Sequence, residues 1–134
     1  MKPSKNKDSD TSVEHLKQKL SKFVKDRDWK QFHSPKNLSM SIAIEAAELM
    51  EVFQWLNTEE SHEILKDKTK LEEIRDELAD IAMFVMEFCN MFDIDLSSAV
   101  LKKLKKNAKK YPAKLARGKS HKYTYYINKG VTCP

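Results

Sequence analysis

Ser41-Ile42-Ala43-Ile44-Glu45-Ala46-Ala47-Glu48-Leu49 and Glu73-Ile74-Arg75-Asp76-Glu77-Leu78-Ala79-Asp80-Ile81 are two acidic segments joined by a polar connector. Each sets two carboxylates three residues apart among Ala, Leu and Ile. On a helix, positions i and i+3 share a face, which pairs Glu45 with Glu48 and Glu77 with Asp80. Packing the two helices against each other brings four carboxylates toward one place. Four anions in a mostly apolar seam are costly unless a cation sits between them. A hard divalent metal with oxygen ligands answers that need, Mg²⁺ first among them. The competing reading is a solvated face of acids paired with Lys at i,i+4. It fits poorly: no Lys or Arg occurs from Ile42 to Leu65, and Asp80 has Asp76 on one side and Phe84 on the other. A face that meets basic residues from the C-terminal end stays open as an alternative.

The flanking pattern is helical. Leu38, Ile42, Leu49, Val52 and Phe53 predict a helix over roughly 37–55, with Ala43, Ala46 and Ala47 allowing close approach. Leu71, Ile74, Leu78, Ile81, Val85 and Phe88 predict another over 69–92, opened by the capping-box spacing of Thr69-Lys70-Leu71-Glu72. After Asp80, the residues Met83, Phe84, Met86, Cys89 and Met91 widen its stripe nearly all round. That predicts burial on all sides and, in a short chain, a subunit interface. Val13, Leu16, Leu20, Phe23 and Val24 predict a first helix over 11–28, opened near Thr11-Ser12-Val13-Glu14. Ala99, Val100, Leu101, Leu104 and Ala108 predict a fourth over 96–110, capped by Asp93-Ile94-Asp95 and ended by Tyr111-Pro112.

Between the first two helices, Trp29 to Lys36 reads as a loop holding Trp29, Phe32, His33 and Pro35. It is either a hydrophobic plug or a functional loop. The connector from Thr58 to Lys68 reads as a short helix capped by Thr58. Its Glu59-Glu60-Ser61-His62 has a single Glu-x-x-His spacing, whereas di-iron bundles use two on core helices, so a solvated face is the better reading. The expected organisation is therefore a disordered N-terminus over 1–10, an all-α, four-helix-bundle-type domain over 11–112, and a basic C-terminal tail over 113–134 that is irregular or holds short elements.

A length of 134 residues suits one domain, and 2 Gly with 4 Pro favour long helices over a many-stranded sheet. No run of about 18 apolar residues is present, so no membrane span is expected. The polar N-terminal stretch predicts no secretory signal. Cys89 and Cys133 form no ligand pattern, and a reducing cytoplasmic setting is the expectation. The net charge of +5 conceals an asymmetry. Met1 to Asp95 carry 14 Lys and Arg against all 20 Asp and Glu, a net of −6, while Leu96 to Pro134 carry 11 Lys and Arg and no acid. A basic end suits a polyanion, or places cations beside a phosphate-binding metal site.

Ile44-Glu45-Ala46-Ala47-Glu48-Leu49 with Phe53-Gln54-Trp55, followed by Glu73 and Glu77-Leu78-Ala79-Asp80-Ile81, resembles the MazG-like all-α nucleoside triphosphate pyrophosphatases, and among them the dCTP pyrophosphatase group. Arg27-Asp28-Trp29 with Gln31-Phe32-His33, Pro35-Lys36-Asn37-Leu38, and Asn107 with Tyr111-Pro112-Ala113-Lys114 extend the likeness over residues 12–123. The resemblance implies Mg²⁺-dependent cleavage of (deoxy)nucleoside triphosphates between the α and β phosphates, giving a monophosphate and pyrophosphate. It implies dCTP or a related pyrimidine deoxynucleotide as substrate, and a pool-cleaning role. Glu45, Glu48, Glu77 and Asp80 would hold metal, with Glu48 or Glu45 as general base. Trp29, His33, Trp55 and Phe84 would line the base pocket, and Lys103, Asn107 and Tyr111 would meet phosphates. Plain core aromatics and a solvated Lys face are the bland readings of those two sets. Phe84 stands where relatives often carry Tyr, and Leu104-Lys105-Lys106 where they tend to carry an acid. The family assembles as dimers or, in the dCTP group, tetramers, so a homotetramer is expected ahead of a dimer. A non-catalytic helical module binding nucleic acid through its basic end is the alternative function. A di-metal redox bundle is a weaker one, for want of His ligands.

Overall fold

The computed structural model describes residues 6–130. Residues 1–5 and 131–134, Cys133 among them, lie outside the described residues. Among the described residues seven α-helices follow in order: α1 Val13–Asp26, α2 Pro35–Phe53, α3 Thr58–Glu63, α4 Lys68–Met91, α5 Leu96–Lys110, α6 Ala113–Ala116 and α7 Tyr123–Ile127. Single 3₁₀ turns occupy Trp29–Phe32 and Ile64–Lys66, and no strand occurs among the described residues. The all-α expectation holds. The chain divides into two compact units, one ending at Ile94 and the other beginning at Asp95.

Helix starts are decided by side chains that take up orphan backbone N–H groups. Ser12 accepts from the His15 N–H and opens α1, one residue past Thr11. Ser34 accepts from the Asn37 N–H, and Pro35 takes the first helical position. Proline has no N–H to satisfy there, so α2 begins inside the segment expected to be loop. Asp67, rather than Thr69, caps α4 by accepting from the N–H groups of Thr69 and Lys70. The short helix predicted in the connector forms as α3. Its cap is Asn57, which exchanges a reciprocal pair of hydrogen bonds with Glu60. Residues 7–10 form a turn closed by the Asp10 N–H on the Lys7 carbonyl, where composition predicts disorder.

In the first unit α4 packs chiefly on α2 and also on α1. Val24 of α1, Leu38 of α2, and Ile74 and Cys89 of α4 form its buried apolar core. Full burial of a side chain the size of Leu38 contributes about 1.5–3 kcal/mol. The expectation that α4 is buried all round is not met within one chain: Leu78 and Met83 remain exposed.

The second unit is less irregular than its composition suggests. Tyr126 of α7 is its buried centre, with Tyr111 and Tyr125 edge-on at ring-centroid distances of 6.0 and 5.4 Å. The Lys110 ammonium lies 4.8 Å from the Tyr123 ring centroid. Three aromatic contacts thus give a strongly basic segment a small nucleus of its own.

Candidate active site

α2 carries Glu45 and Glu48, and α4 carries Glu77. The mutual packing of these helices sets one carboxylate oxygen from each within 4.8 Å of the others. Glu45 and Glu77 are half-buried and Glu48 is exposed. Asp80, one turn further along α4, lies outside this group of three. Its charge nevertheless reaches both Glu45 and Glu77.

No ion pair among the described residues reaches any of the four acids. Burial pushes the Glu45 carboxyl above the ordinary carboxylate range, and the charges of Glu48, Asp80 and Glu77 push it further. Burial does the same to Glu77, reinforced by Glu48, Asp80, Asp76 and Glu73. Glu77 Oε2 is buried with no hydrogen-bond partner among the described residues. An orphaned carboxylate oxygen beside two further carboxylates is a donor set that fits a hard divalent cation.

Against α4 lies a cavity of about 320 Å³, lined by Leu20, Phe23, Val24, Trp29, His33, Asp80, Met83, Phe84 and Glu87. Asp80 therefore faces an apolar chamber while its field reaches the carboxylate group. The loop before α2 supplies two walls. Asp28 adopts a left-handed backbone conformation, φ 55°, and starts the 3₁₀ turn that carries Trp29. Asp tolerates that region better than most residues. Asn37 Nδ2 donates to the Phe32 carbonyl at 2.8 Å and ties the turn to α2. The Trp29 indole meets Phe23 edge-on at 5.8 Å, and the Arg27 guanidinium lies 3.5 Å from the centre of the Phe23 ring.

Three of the expected base-pocket residues, Trp29, His33 and Phe84, come together in this cavity. Trp55 does not. It follows the last turn of α2, where the chain turns toward the Asn57 cap, and its side chain is 86% exposed. Lys103 and Asn107 sit on α5, and Tyr111 immediately follows it. Lys103 is exposed and Asn107 is half-buried. Tyr111 rests on Tyr126 within the second unit.

Sequence reasoning missed Glu87. It is 2% exposed, and its Oε1 lies 3.0 Å from His33 Nδ1. Asn90, which also donates to the Lys17 carbonyl at 2.9 Å, approaches Glu87 Oε2 at 3.5 Å. The available signal was a single acid within Phe84-Val85-Met86-Glu87-Phe88-Cys89 that has no basic residue four positions away on either side.

A profile of the MazG-like family matches residues 40–125. The chain belongs to the MazG-like family. It is 34% identical to dCTP pyrophosphatase 1 of Bos taurus over 116 residues, covering 87% of this chain and 69% of that one. Its identity to the human protein of the same name is also 34%, over 113 residues, covering 84% and 66%. Among solved structures, a pyrophosphatase from Archaeoglobus fulgidus superposes with a TM-score of 0.70 at 39% identity, covering 75% of this chain and 92% of the other. This MazG-like match takes in α4, both acidic segments and Glu87.

Proposed function

We propose that this chain hydrolyses deoxynucleoside triphosphates, with dCTP or a related pyrimidine nucleotide preferred and Mg²⁺ as the metal. The class, nucleoside triphosphate pyrophosphatase, follows from the family membership and the relatives. The observation that carries the finer reading is the adjacency of two features: a carboxylate group with no cationic partner among the described residues, and an apolar chamber walled by Trp29, His33 and Phe84. The first suits metal and triphosphate, and the second suits a flat base.

Glu45, Glu48 and Glu77 would hold the cation, with Asp80 completing the set. When bound, a divalent ion neutralises phosphate oxygens and eases attack by water. The remaining chemistry falls to the chain. Water attacks the α-phosphorus, the bond from that phosphorus to the bridging oxygen breaks, and pyrophosphate leaves. Glu48 or Glu45 takes the proton from water. Trp29 and Phe84 offer ring faces to the base, and His33 offers a hydrogen bond to its edge. Lys103, Asn107 and Tyr111 are assigned to the phosphates.

The same reading includes a homotetramer working in the cytoplasm, with residues 113–134 as a basic extension. Met40, Ile44 and Met50 on α2, and Leu78 and Met83 on α4, are exposed apolar side chains of the kind a subunit interface covers. Trp55 is a candidate to be covered in the same way. No helix among the described residues is long and apolar enough to cross a membrane.

The deciding experiment is pyrophosphate release from eight ribo- and deoxynucleoside triphosphates, with Mg²⁺ and with chelator. Mg²⁺-dependent pyrophosphate, strongest with a pyrimidine deoxynucleotide, is expected. Orthophosphate alone, or no product from folded protein, overturns the reading. Light scattering on the same sample gives the subunit number.

A further inference from the structure

We propose that Arg27 is a positioning residue: its guanidinium clasps Phe23 and through it holds Trp29 as a fixed wall of the cavity, so that a flat base meets a ring already in place. The inference rests on the reading of this cavity as the base site.

Phe23 and Trp29 both line the cavity, yet each is 44% exposed. Rings covered only in part need a further contact to stay in one orientation. Arg27 supplies it. Its guanidinium carbon lies 3.5 Å from the Phe23 ring centre and 5.9 Å from that of Trp29. Both distances fall within the roughly 6 Å over which a cation is attracted to an aromatic ring. Phe23 in turn meets Trp29 edge-on, at 5.8 Å and 77° between planes.

The guanidinium is itself anchored. The Arg27 backbone N–H bonds back to the Val24 carbonyl at 3.3 Å, and Nη1 of the Arg27 side chain donates to the Phe23 carbonyl at 3.0 Å. One side chain thus holds both the backbone and the ring of Phe23. A planar guanidinium can stack on a ring and donate from its edge at once, which an ammonium cannot do. No ion pair among the described residues includes Arg27, so no carboxylate competes for it at contact distance.

The turn that carries Trp29 has a separate brace. Gln31 Nε2 donates to the Asp28 carbonyl at 2.9 Å and to the Asp28 carboxylate at 3.0 Å. Loss of Arg27 therefore releases the rings and leaves the backbone of the turn in place.

The test uses the full-length chain and the triphosphate hydrolysed best in the eight-nucleotide panel. KM and kcat are compared for the parent, Arg27→Ala, Trp29→Ala and the double variant. Arg27→Ala is expected to raise KM about threefold to fivefold with kcat nearly unchanged, the range for one exposed cation–ring contact. It is expected to add nothing once Trp29 is gone. Arg27→Gln keeps a donor for the Phe23 carbonyl without the cation, and should raise KM likewise. In a Trp55→Phe background Trp29 is the single indole, and its quenching by acrylamide should increase on Arg27→Ala. Unchanged KM or unchanged quenching overturns the proposal. So does a rise in KM that is as large without Trp29 as with it. A rise that vanishes at roughly 0.5 M salt overturns it too, because Arg27 then only attracts the triphosphate from a distance. If Trp29→Ala leaves KM unchanged, the base-site reading itself falls, and the proposal with it.

Discussion

Two places in the first unit put carboxylates into apolar surroundings, and they resolve the resulting charge in opposite ways. At Glu45, Glu48 and Glu77 three acids converge with no basic partner among the described residues, and two are pushed toward protonation. At Glu87 one acid is buried more deeply but has an imidazole at 3.0 Å. The first arrangement is incomplete without a cation from outside. The second is complete within the fold. An acid cluster that a protein leaves uncompensated points to a ligand, whereas a compensated acid points to positioning.

Substitution separates the two most sharply. Glu77→Gln removes a proposed metal ligand, and kcat for pyrophosphate release should fall by about a thousandfold, the several kcal/mol that metal stabilisation of charge supplies. The same variant, freed of metal with chelator, should melt at a higher temperature than the parent, because mutual repulsion is relieved. A lower melting temperature would mean that the cluster is structural.

His33→Ala should do the reverse. It removes the hydrogen-bond partner of buried Glu87 and should reduce stability by about 1–3 kcal/mol in urea titration. Unchanged stability would break the contrast.

The pH response sharpens it further. Glu45 and Glu77 bind protons more tightly folded than unfolded, so metal-free protein holds more protons than the unfolded chain just above the ordinary carboxylate range. Stability from this source is therefore present at low pH and lost as pH rises through the elevated folded values. Calorimetry with chelator should show that decline, and excess Mg²⁺ should flatten it. Glu48→Gln should weaken it without abolishing it, since burial is the first cause of both shifts and Glu48 the leading charge after it. The smallest effect belongs to an exposed pair: Lys66→Ala, which loses the contact with Glu63 at 2.5 Å, should cost less than about 1 kcal/mol.

Much of the carboxylate site was legible in the sequence, because i,i+3 spacing survives into any helix and no Lys or Arg stands three or four residues from any of the four acids. The four long helices were legible for the same reason of period. Their starts were less so. Asp67 and Ser34 won the caps over Thr69 and the expected loop through hydrogen bonds that alternative residues could also have made. Trp55 was read as a pocket residue from its motif, yet the end of α2 leaves it outside the cavity.

By itself, the sequence determined that this chain is all-α, that two helices carry paired acids without local counter-charges, and that its basic charge is concentrated after Asp95. These are properties of spacing and composition, which act over one or two helical turns. Only the tertiary structure decided that three of the four acids gather while Asp80 turns to the cavity. It also decided that Trp29, His33 and Phe84 share one chamber, and that Glu87, 54 residues away, is His33's partner. Those are contacts between elements, set by how α4 is rotated against α1 and α2, and no local period encodes that rotation.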